Sequence, residues 1–307
     1  MAMRPAILLL LGAAATLSAQ VRYSPATGEI KIDGKPFATF NKGADANKPF
    51  LAPVRSASGK LVTRQFPMVR DVPGESKDHL HHRGLWFTYD DINGVKFWEN
   101  DPSYTRGKIG KVVVKDVKWK DAGKSGTLTV TSDLNDPDGK TLVAETNEIT
   151  FYADPKLRTM DFHITWTPKV DVTLGDTKEG AFAIRLAEPF TAKGGGKMAN
   201  AEGKVGMKDV WGKRSAWVDY TATVDGEPIG VAMMDHPSNP RFPTYWHARD
   251  YGLFALNPFG RKSFDPTQEE SAWKVPAGQK LEFRWRVVVH PADASVAELY
   301  NDFSAMK

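Results

Sequence analysis

The sequence predicts an all-β fold, an antiparallel β-sandwich that carries one C-terminal helix. Apolar and polar residues alternate with a period of two along many segments, whereas a helical period is found in one segment only. Turn-forming dipeptides separate the alternating segments. Many short strands separated by such turns are typical of two packed antiparallel sheets.

The clearest predicted strand is formed by residues 158–166, whose apolar side chains share one face and whose polar side chains share the other. Residues 280–290 alternate in the same way at first, from Leu281 to Val287. Further strands are predicted at 29–33, 108–118, 126–133, 141–152, 181–187, 216–224 and 230–234. Turns are predicted at Asp33-Gly34, Asn93-Gly94, Asp138-Gly139 and Asp225-Gly226.

The one predicted helix lies near the C terminus. Its apolar stripe consists of Val296, Leu299, Tyr300 and Phe303, which recur at helical spacing. Either Asp293 or Ser295 can cap the first turn. We expect this helix to pack across the open end of a sheet.

Residues 1–19 have the pattern of an export signal. Arg4 supplies a positive charge, residues 6–15 form an apolar run, and Ala19 ends a small-residue cleavage site. The run is too short for a bilayer-spanning helix, which needs about 20 residues. We therefore expect a periplasmic or secreted protein with no transmembrane segment after cleavage, in which residues 20–307 form a single β-sandwich domain. An uncleaved anchor is the alternative.

The composition excludes several classes of function. Cysteine is absent, so a disulfide framework and thiol catalysis are excluded and stability must come from a core. The 41 Lys and Arg residues are spread among 37 Asp and Glu residues, so we expect no nucleic-acid partner. Neither a G-x-S-x-G elbow nor an H-E-x-x-H, Rossmann or P-loop pattern occurs.

Three of the seven histidines, His79, His81 and His82, lie within four positions, next to Arg83. Imidazole serves as acid, base or metal ligand near neutral pH. If the segment is extended, His79 and His81 share one face and could bind a metal, while His82 points away. A third ligand would then come from Glu179, Asp235, His236 or His247.

The other interpretation of the histidine segment is a polar cleft without a cofactor. In that case His82 and Arg83 line the cleft, and His79 forms hydrogen bonds behind them. The Arg83 guanidinium would contact a carboxylate or vicinal hydroxyl groups.

Two later blocks also carry candidate residues. Glu179 follows Lys178 between glycines, which suits either a general base or a surface turn with an ion pair, and the next strand contains Arg185. Residues 235–252 combine aromatic rings with His, Asp, Asn and Arg. This combination is typical of carbohydrate clefts, because sugar C–H faces stack on rings while hydroxyl groups need hydrogen-bond partners.

These blocks resemble the bacterial family labelled methane oxygenase PmoA-like. The matching segments are 78–87 with 93–98, 177–180 with Arg185, 211–212, 235–239, 246–252 and 257–260. The resemblance implies a β-supersandwich of the galactose-mutarotase type, a fold whose members commonly act on or bind sugars. The methane monooxygenase subunit behind the label spans the membrane with several helices. One short apolar run cannot provide them, so we do not expect that activity.

We therefore expect an exported carbohydrate-active protein with acid–base chemistry of the epimerase or lyase type. The candidate catalytic residues are His82, Glu179, His236 and His247. The candidate ligand-binding residues are His79, Arg83, Trp86, Arg185, Asp235, Asn239, Trp246 and Arg249. The alternatives are a carbohydrate-binding module without turnover and a metal-dependent enzyme that uses His79 and His81.

Overall fold

Two sheets, one of twelve strands and one of eight, build the computed structural model, which describes residues 20–306. Every strand pair is antiparallel except one short parallel pair. The all-β antiparallel sandwich expected from the sequence is therefore confirmed. The predicted export signal, residues 1–19, lies outside the described residues.

Strands are numbered along the chain. The first sheet contains β1 (Val21–Tyr23), β2 (Glu29–Ile32), β3 (Lys35–Asn41), β4 (Phe50–Val54), β5 (Leu85–Ile92), β6 (Val95–Lys96), β7 (Lys108–Ile109), β12 (Val172–Leu174), β13 (Gly180–Arg185), β17 (Tyr245–Ala248), β18 (Leu253–Asn257) and β19 (Trp273–Val275). The second contains β8 (Lys111–Asp121), β9 (Ser125–Asn135), β10 (Thr141–Ala153), β11 (Arg158–Pro168), β14 (Lys197–Asn200), β15 (Trp217–Val224), β16 (Glu227–Asp235) and β20 (Leu281–Pro291).

The main path through the first sheet is β1-β2-β3-β4-β5-β13-β18-β17, and β6, β7, β12 and β19 extend it beside β5. The second sheet runs β14-β15-β16-β20-β11-β10-β9-β8. Besides a short 3-10 helix at Glu188–Phe190, the described residues contain two helices, α1 (Met207–Val210) and α2 (Val296–Ser304).

Three of the predicted dipeptide turns have positive φ at both residues. The φ angles are 52° and 76° at Asp33-Gly34, 56° and 75° at Asn93-Gly94, and 46° and 82° at Asp225-Gly226. Two consecutive positive φ angles define the type I′ turn, whose twist matches that of the strands it joins. These turns connect β2 to β3, β5 to β6 and β15 to β16.

The core lies between the two sheets. On β11, Phe162 and Trp166 point into it and are buried, whereas Asp161 and His163 on the opposite face are half-buried. On β20, Arg286 faces outward but is largely covered, because it donates hydrogen bonds of 2.6 and 2.7 Å to Asp161. The period-two alternation in the sequence therefore arises because successive side chains point to the buried and the outer face of the second sheet in turn.

The central strands of the first sheet are buried on both faces. Inward-facing Phe87 of β5 joins the core between the sheets, while outward-facing Trp86 packs in a separate apolar cluster with Trp98, Ala183 and Ala255. The ring centroids of Trp86 and Trp98 are 5.0 Å apart. Loops therefore cover part of this outer face, and the cluster supports the candidate site described below.

Helix α2 confirms the predicted C-terminal helix and its cap. The Ser295 hydroxyl accepts a hydrogen bond from the Glu298 N–H at 3.3 Å. Val296 and Phe303 pack against outward-facing residues of β16 and β20, such as Met234. The helix thus covers the outer face of the second sheet rather than an open sheet end. Nowhere in residues 20–306 is a helix long and apolar enough to cross a membrane.

Candidate functional site

Residues 79–82 form a tight turn and not an extended strand. His79 has a φ of 44°, in the left-handed region, and its carbonyl accepts a hydrogen bond from the His82 N–H at 3.0 Å. The turn stacks the rings of His79 and His82, with 4.6 Å between centroids and 4° between planes. His81 lies edge-on to His82 at 4.3 Å. The expected separation of His82 from the other two rings was therefore wrong.

Two buried arginines anchor this turn. Arg64 donates to Asp78 Oδ1 at 2.5 Å, to the His79 carbonyl at 3.0 Å and to the His82 carbonyl at 3.3 Å. Arg185, at the end of β13, donates to Asp78 Oδ1 at 2.8 Å and to His82 Nδ1 at 3.0 Å. The turn is thus attached to the first sheet through charged hydrogen bonds, which are stronger than neutral ones.

Asp78 and His79 form an oriented pair. Asp78 Oδ2 lies 3.0 Å from His79 Nδ1, and the His79 side chain is 41% exposed. Burial alone would raise the pKa of Asp78, but the interactions with His79, Arg185 and Arg64 hold that pKa below its usual range. An ionised Asp78 favours the proton on Nδ1 of His79, which leaves Nε2 free to accept a proton.

His82 offers a donor from a neutral ring. A guanidinium group can only donate, so His82 Nδ1 accepts from Arg185 and the ring proton resides on Nε2. Burial lowers the pKa of His82 well below its ordinary value, and the neighbouring charges of His81 and Arg185 lower it further. His82 is therefore neutral at pH 7 and cannot act as a protonated acid.

The late block of the sequence meets this turn through Tyr251. The Tyr251 ring stacks on His79, with 5.5 Å between centroids and 13° between planes. The guanidinium carbons of Arg185 and Arg249 lie 4.5 and 5.5 Å from the centre of the same ring. Blocks about 170 positions apart in sequence therefore come together, as the carbohydrate-cleft interpretation requires. We call Asp78, His79, His82, Arg185, Arg249 and Tyr251 the histidine site.

His247 borders the histidine site on β17 and has the opposite tautomer to His82. Its Nδ1 donates to the Lys178 carbonyl at 3.1 Å, so its Nε2 is an acceptor. Burial lowers the pKa of His247 to about 3, and the charges of Lys178 and Arg249 act in the same direction. The two buried rings thus provide one neutral donor and one neutral acceptor.

Glu179 lies in an ion-paired turn at the edge of this region. Its carboxylate pairs with the neighbouring Lys178, and its side chain is 22% exposed. Its carbonyl accepts a hydrogen bond from the Asp90 N–H at 3.0 Å, which ties the turn to β5. The contacts match the ion-paired turn that the sequence also allowed.

Three candidate residues, Asp235, His236 and Asn239, are placed elsewhere, at the end of β16 in the second sheet. Asp235 is buried and accepts hydrogen bonds from Asn239 Nδ2 at 2.7 Å, Thr244 N–H at 3.0 Å and Trp285 Nε1 at 3.1 Å. His236 contacts the Ser238 hydroxyl at 2.7 Å and the Met306 carbonyl at 3.0 Å. We call Asp235, Asn239, Thr244 and Trp285 the Asp235 cluster.

Three further candidates are buried, and two of them have internal partners. Arg83 pairs with Asp45 at 3.2 Å and Asp101 at 3.1 Å. Trp246 lies in the core between the sheets and donates from Nε1 to the Ser215 carbonyl at 2.8 Å. Trp86 packs under His82, with 5.4 Å between ring centroids, and its Nε1 has no partner among the described residues. Trp86 therefore belongs to the floor of the histidine site.

Among residues 20–306, no three histidine or carboxylate side chains come close enough together to bind a metal ion. The rings of His79 and His81 are 5.7 Å apart. Their Nδ1 atoms face other partners, Asp78 for His79 and the Tyr104 hydroxyl at 3.0 Å for His81.

Sequence reasoning did not assign roles to Arg64, Asp78 and Tyr251. Asp78 and Tyr251 lie inside the blocks that the sequence singled out, next to His79 and two residues after Arg249. Their positions next to candidate residues could have identified them as further site residues. Arg64 lies outside every block, and only the folded chain shows that it holds the turn.

Comparison with protein families gives a match over residues 27–303. The chain belongs to DUF6807, a family of unknown function. A search of curated proteins finds no match.

Solved structures similar to this DUF6807 chain include GH36 alpha-galactosidases. AgaA from Geobacillus stearothermophilus has 10% identity and a TM-score of 0.41, with 88% of this chain and 40% of that chain covered. AgaB from the same organism has 11% identity and a TM-score of 0.38, with 88% and 41% covered. The Lactobacillus brevis alpha-galactosidase has 9% identity and a TM-score of 0.38, with 90% and 39% covered. The DUF6807 chain thus spans about 40% of their length, and likenesses this low carry no argument about activity.

Proposed function

We propose that this DUF6807 protein is a carbohydrate-active enzyme that removes a proton from a carbon atom of a sugar or sugar derivative, as epimerases and lyases do. The observation that carries the proposal is the Asp78–His79 pair, an exposed imidazole oriented by a carboxylate that two buried arginines hold in place. A positioned base next to an orienting carboxylate is the arrangement that general base catalysis requires.

In this reaction His79 Nε2 takes the proton from a carbon next to a carbonyl group. The C–H electron pair moves onto the carbonyl oxygen, and neutral donors near it, His82 Nε2–H and the Tyr251 hydroxyl, stabilise the resulting enolate. Burial raises the pKa of Tyr251, so its hydroxyl keeps its proton at neutral pH. Delivery of a solvent proton to the opposite face gives an epimer, and His79 then releases the proton that it removed to solvent. Expulsion of a β-substituent, which leaves with the proton held by His79, instead gives an eliminated product.

The electrostatics of the site support a polyhydroxylated ligand. A hydroxyl group both donates and accepts, and the neutral rings of His82 and His247 provide one donor and one acceptor. Arg249 adds a guanidinium fork that can bind vicinal hydroxyl groups. The resemblance to the PmoA-like family and to galactose-mutarotase-type supersandwiches indicates the same class of ligand.

This assignment changes the roles expected from the sequence. His82 and His247 are neutral donor and acceptor groups, and His79 replaces them as the base. His236 is assigned no role, because its contacts lie with the C-terminal segment. The proposed periplasmic or secreted location rests on residues 1–19 alone.

The proposal is tested by incubating the protein in D2O with a panel of aldoses, ketoses and uronates and following the ¹H NMR spectra. We expect loss of one C–H signal or growth of product signals. Replacing the base by His79→Gln should slow this change roughly 10²- to 10⁴-fold. His163→Gln is the matched control, since His163 lies half-exposed on the outer face of the second sheet near Glu148 and Glu282.

Two results would overturn the enzyme assignment. The first is an absence of exchange or product for every sugar of the panel. The second is equal turnover by the His79→Gln and wild-type proteins. Saturable sugar binding without any exchange would instead identify a binding module.

A further inference from the structure

A cavity of about 260 Å³ lies outside the histidine site, between β17 and the segment that follows β18. Its lining combines three arginines with polar and aromatic groups, and the residues central to it are Arg214, Arg241, Arg261, Tyr245 and Asn257. The volume is below the range of about 300–1,000 Å³ that is usual for drug-sized ligands, so a small group fits best.

The three guanidinium groups have only neutral hydrogen-bond partners among the described residues. Arg214 donates to the Pro243 carbonyl at 2.7 Å, and Arg261 donates to Gln268 Oε1 at 2.9 Å. Arg241 donates to the Phe259 carbonyl at 3.1 Å. Arg83 and Arg286, by contrast, pair with carboxylates.

The carboxylate of Asp176, beside the cavity, is occupied by backbone groups. Asp176 accepts hydrogen bonds from the backbone N–H groups of Arg261, Lys262, Ser263 and Ser271 at 2.8–3.1 Å. It therefore closes a loop beside the cavity. The lining of the cavity thus includes three arginines and no carboxylate.

The cavity lies next to the histidine site on the same face of the first sheet. Tyr245 and His247 are two residues apart on β17, so their side chains point the same way and are separated by roughly 7 Å along the strand. Phe264 stacks on Tyr245 at 5.4 Å and lies edge-on to His247 at 6.3 Å. A single ligand can therefore reach both places.

We propose that this cavity binds the acid group of an anionic sugar, a carboxylate or a sulfate, while the histidine site holds the rest of the same ligand. The inference rests on the proposed function and names its substrate class. Guanidinium forks match the planar geometry of a carboxylate and the oxygens of a sulfate, and each such pair forms charge-assisted hydrogen bonds.

Calorimetric titration with galactose, galacturonate and galactose 6-sulfate at constant ionic strength tests this proposal. The wild type should bind at least one anionic sugar 10-fold or more tightly than galactose, and the two anionic ligands distinguish carboxylate from sulfate. The double variant Arg214→Gln/Arg261→Gln should lose that preference and keep its affinity for galactose. Glutamine at position 214 can still donate to the Pro243 carbonyl, whereas Arg241 is left intact because its guanidinium also stacks on the Trp273 ring.

Arg22→Gln/Arg70→Gln removes two exposed arginines away from the cavity lining and should leave the preference unchanged. Equal affinity for neutral and anionic sugars, or an unchanged preference in the cavity variant, overturns the inference. His79-dependent exchange in that case would leave the proposed function intact. Arginine-dependent binding of an anionic sugar without any exchange would support the cavity and overturn the enzyme.

Discussion

The histidine site and the Asp235 cluster both draw residues from blocks that the sequence singled out, yet they differ in what their carboxylates and rings do. In the Asp235 cluster, both carboxylate oxygens of Asp235 accept hydrogen bonds from the chain itself. In the histidine site, Nε2 of the half-exposed His79 is left for a partner from solution. The comparison teaches that a hydrogen-bonding atom that is both unpartnered and exposed to solvent distinguishes the candidate site from the structural cluster.

The two regions also lie in different layers of the sandwich. The chain leaves the second sheet at the end of β16 and enters the first sheet at the start of β17. His236 and His247 are close in sequence, but this crossing places His236 near the C-terminal helix and His247 beside the histidine site.

The largest difference between the two regions should appear in stability. Asp235→Ala removes the acceptor of three buried donors, the Thr244 N–H among them, and should lower the free energy of unfolding by about 3–5 kcal/mol. His79→Ala removes a half-exposed ring and should lower it by less than about 1 kcal/mol. Urea unfolding of both variants measures the two values. Similar losses would show that the two regions do not differ in the way described.

The pH dependence of stability sharpens the comparison. Burial keeps the pKa of His247 at about 3 in the folded protein, against an ordinary value of 6.5. The unfolded chain therefore binds the proton first, and the stability contributed by the neutral ring is lost as the pH falls below 6.5. Between pH 6.5 and pH 5 this loss amounts to about 2 kcal/mol.

His247→Gln removes that titration, so the stability difference between wild type and variant should shrink by about 2 kcal/mol at pH 5 relative to pH 7. Unfolding curves at several pH values measure it. A difference that is independent of pH for His247→Gln would contradict the assignment of a neutral buried ring.

The smallest effect is expected at the cap of α2, on the side of the molecule away from the histidine site. Ser295→Ala removes the hydrogen bond to the Glu298 N–H and should cost about 1 kcal/mol of stability. Turnover should be unchanged, because α2 packs on the outer face of the second sheet. A parallel fall in turnover, measured at a temperature where the variant is folded, would show that the two layers are coupled.

The sequence predicted strands best where only one face is covered. Strands β9 and β11 alternate because one face meets the core and the other meets solvent or polar neighbours. Strand β20 alternates in this way only as far as Trp285, because helix α2 covers its outer face beyond that residue. Strands β5 and β18 were not predicted, since both of their faces are buried and the alternation disappears.

For the site, the structure brings together His82, Arg185 and Arg249, whose blocks the sequence singled out by their unusual residue types. The sequence could not show that residues 79–82 turn, since the turn depends on Arg64 and Arg185, which bind it from distant parts of the chain. Nor could the sequence show that Asp235 and His247 belong to different sheets, because the sheet that a strand joins depends on its pairing with strands distant in sequence.

Arg64 holds the segment that carries His79. Arg214 and Arg261 belong to loops near Tyr245, at the start of β17, whereas Arg249 of the histidine site follows the end of that strand. The residues proposed for the reaction and the residues proposed for ligand selection thus come from different segments of the chain. If the proposed reaction and the proposed anion site are both correct, we expect exchanges in the loops of Arg214 and Arg261 to change the ligand and to leave the reaction intact.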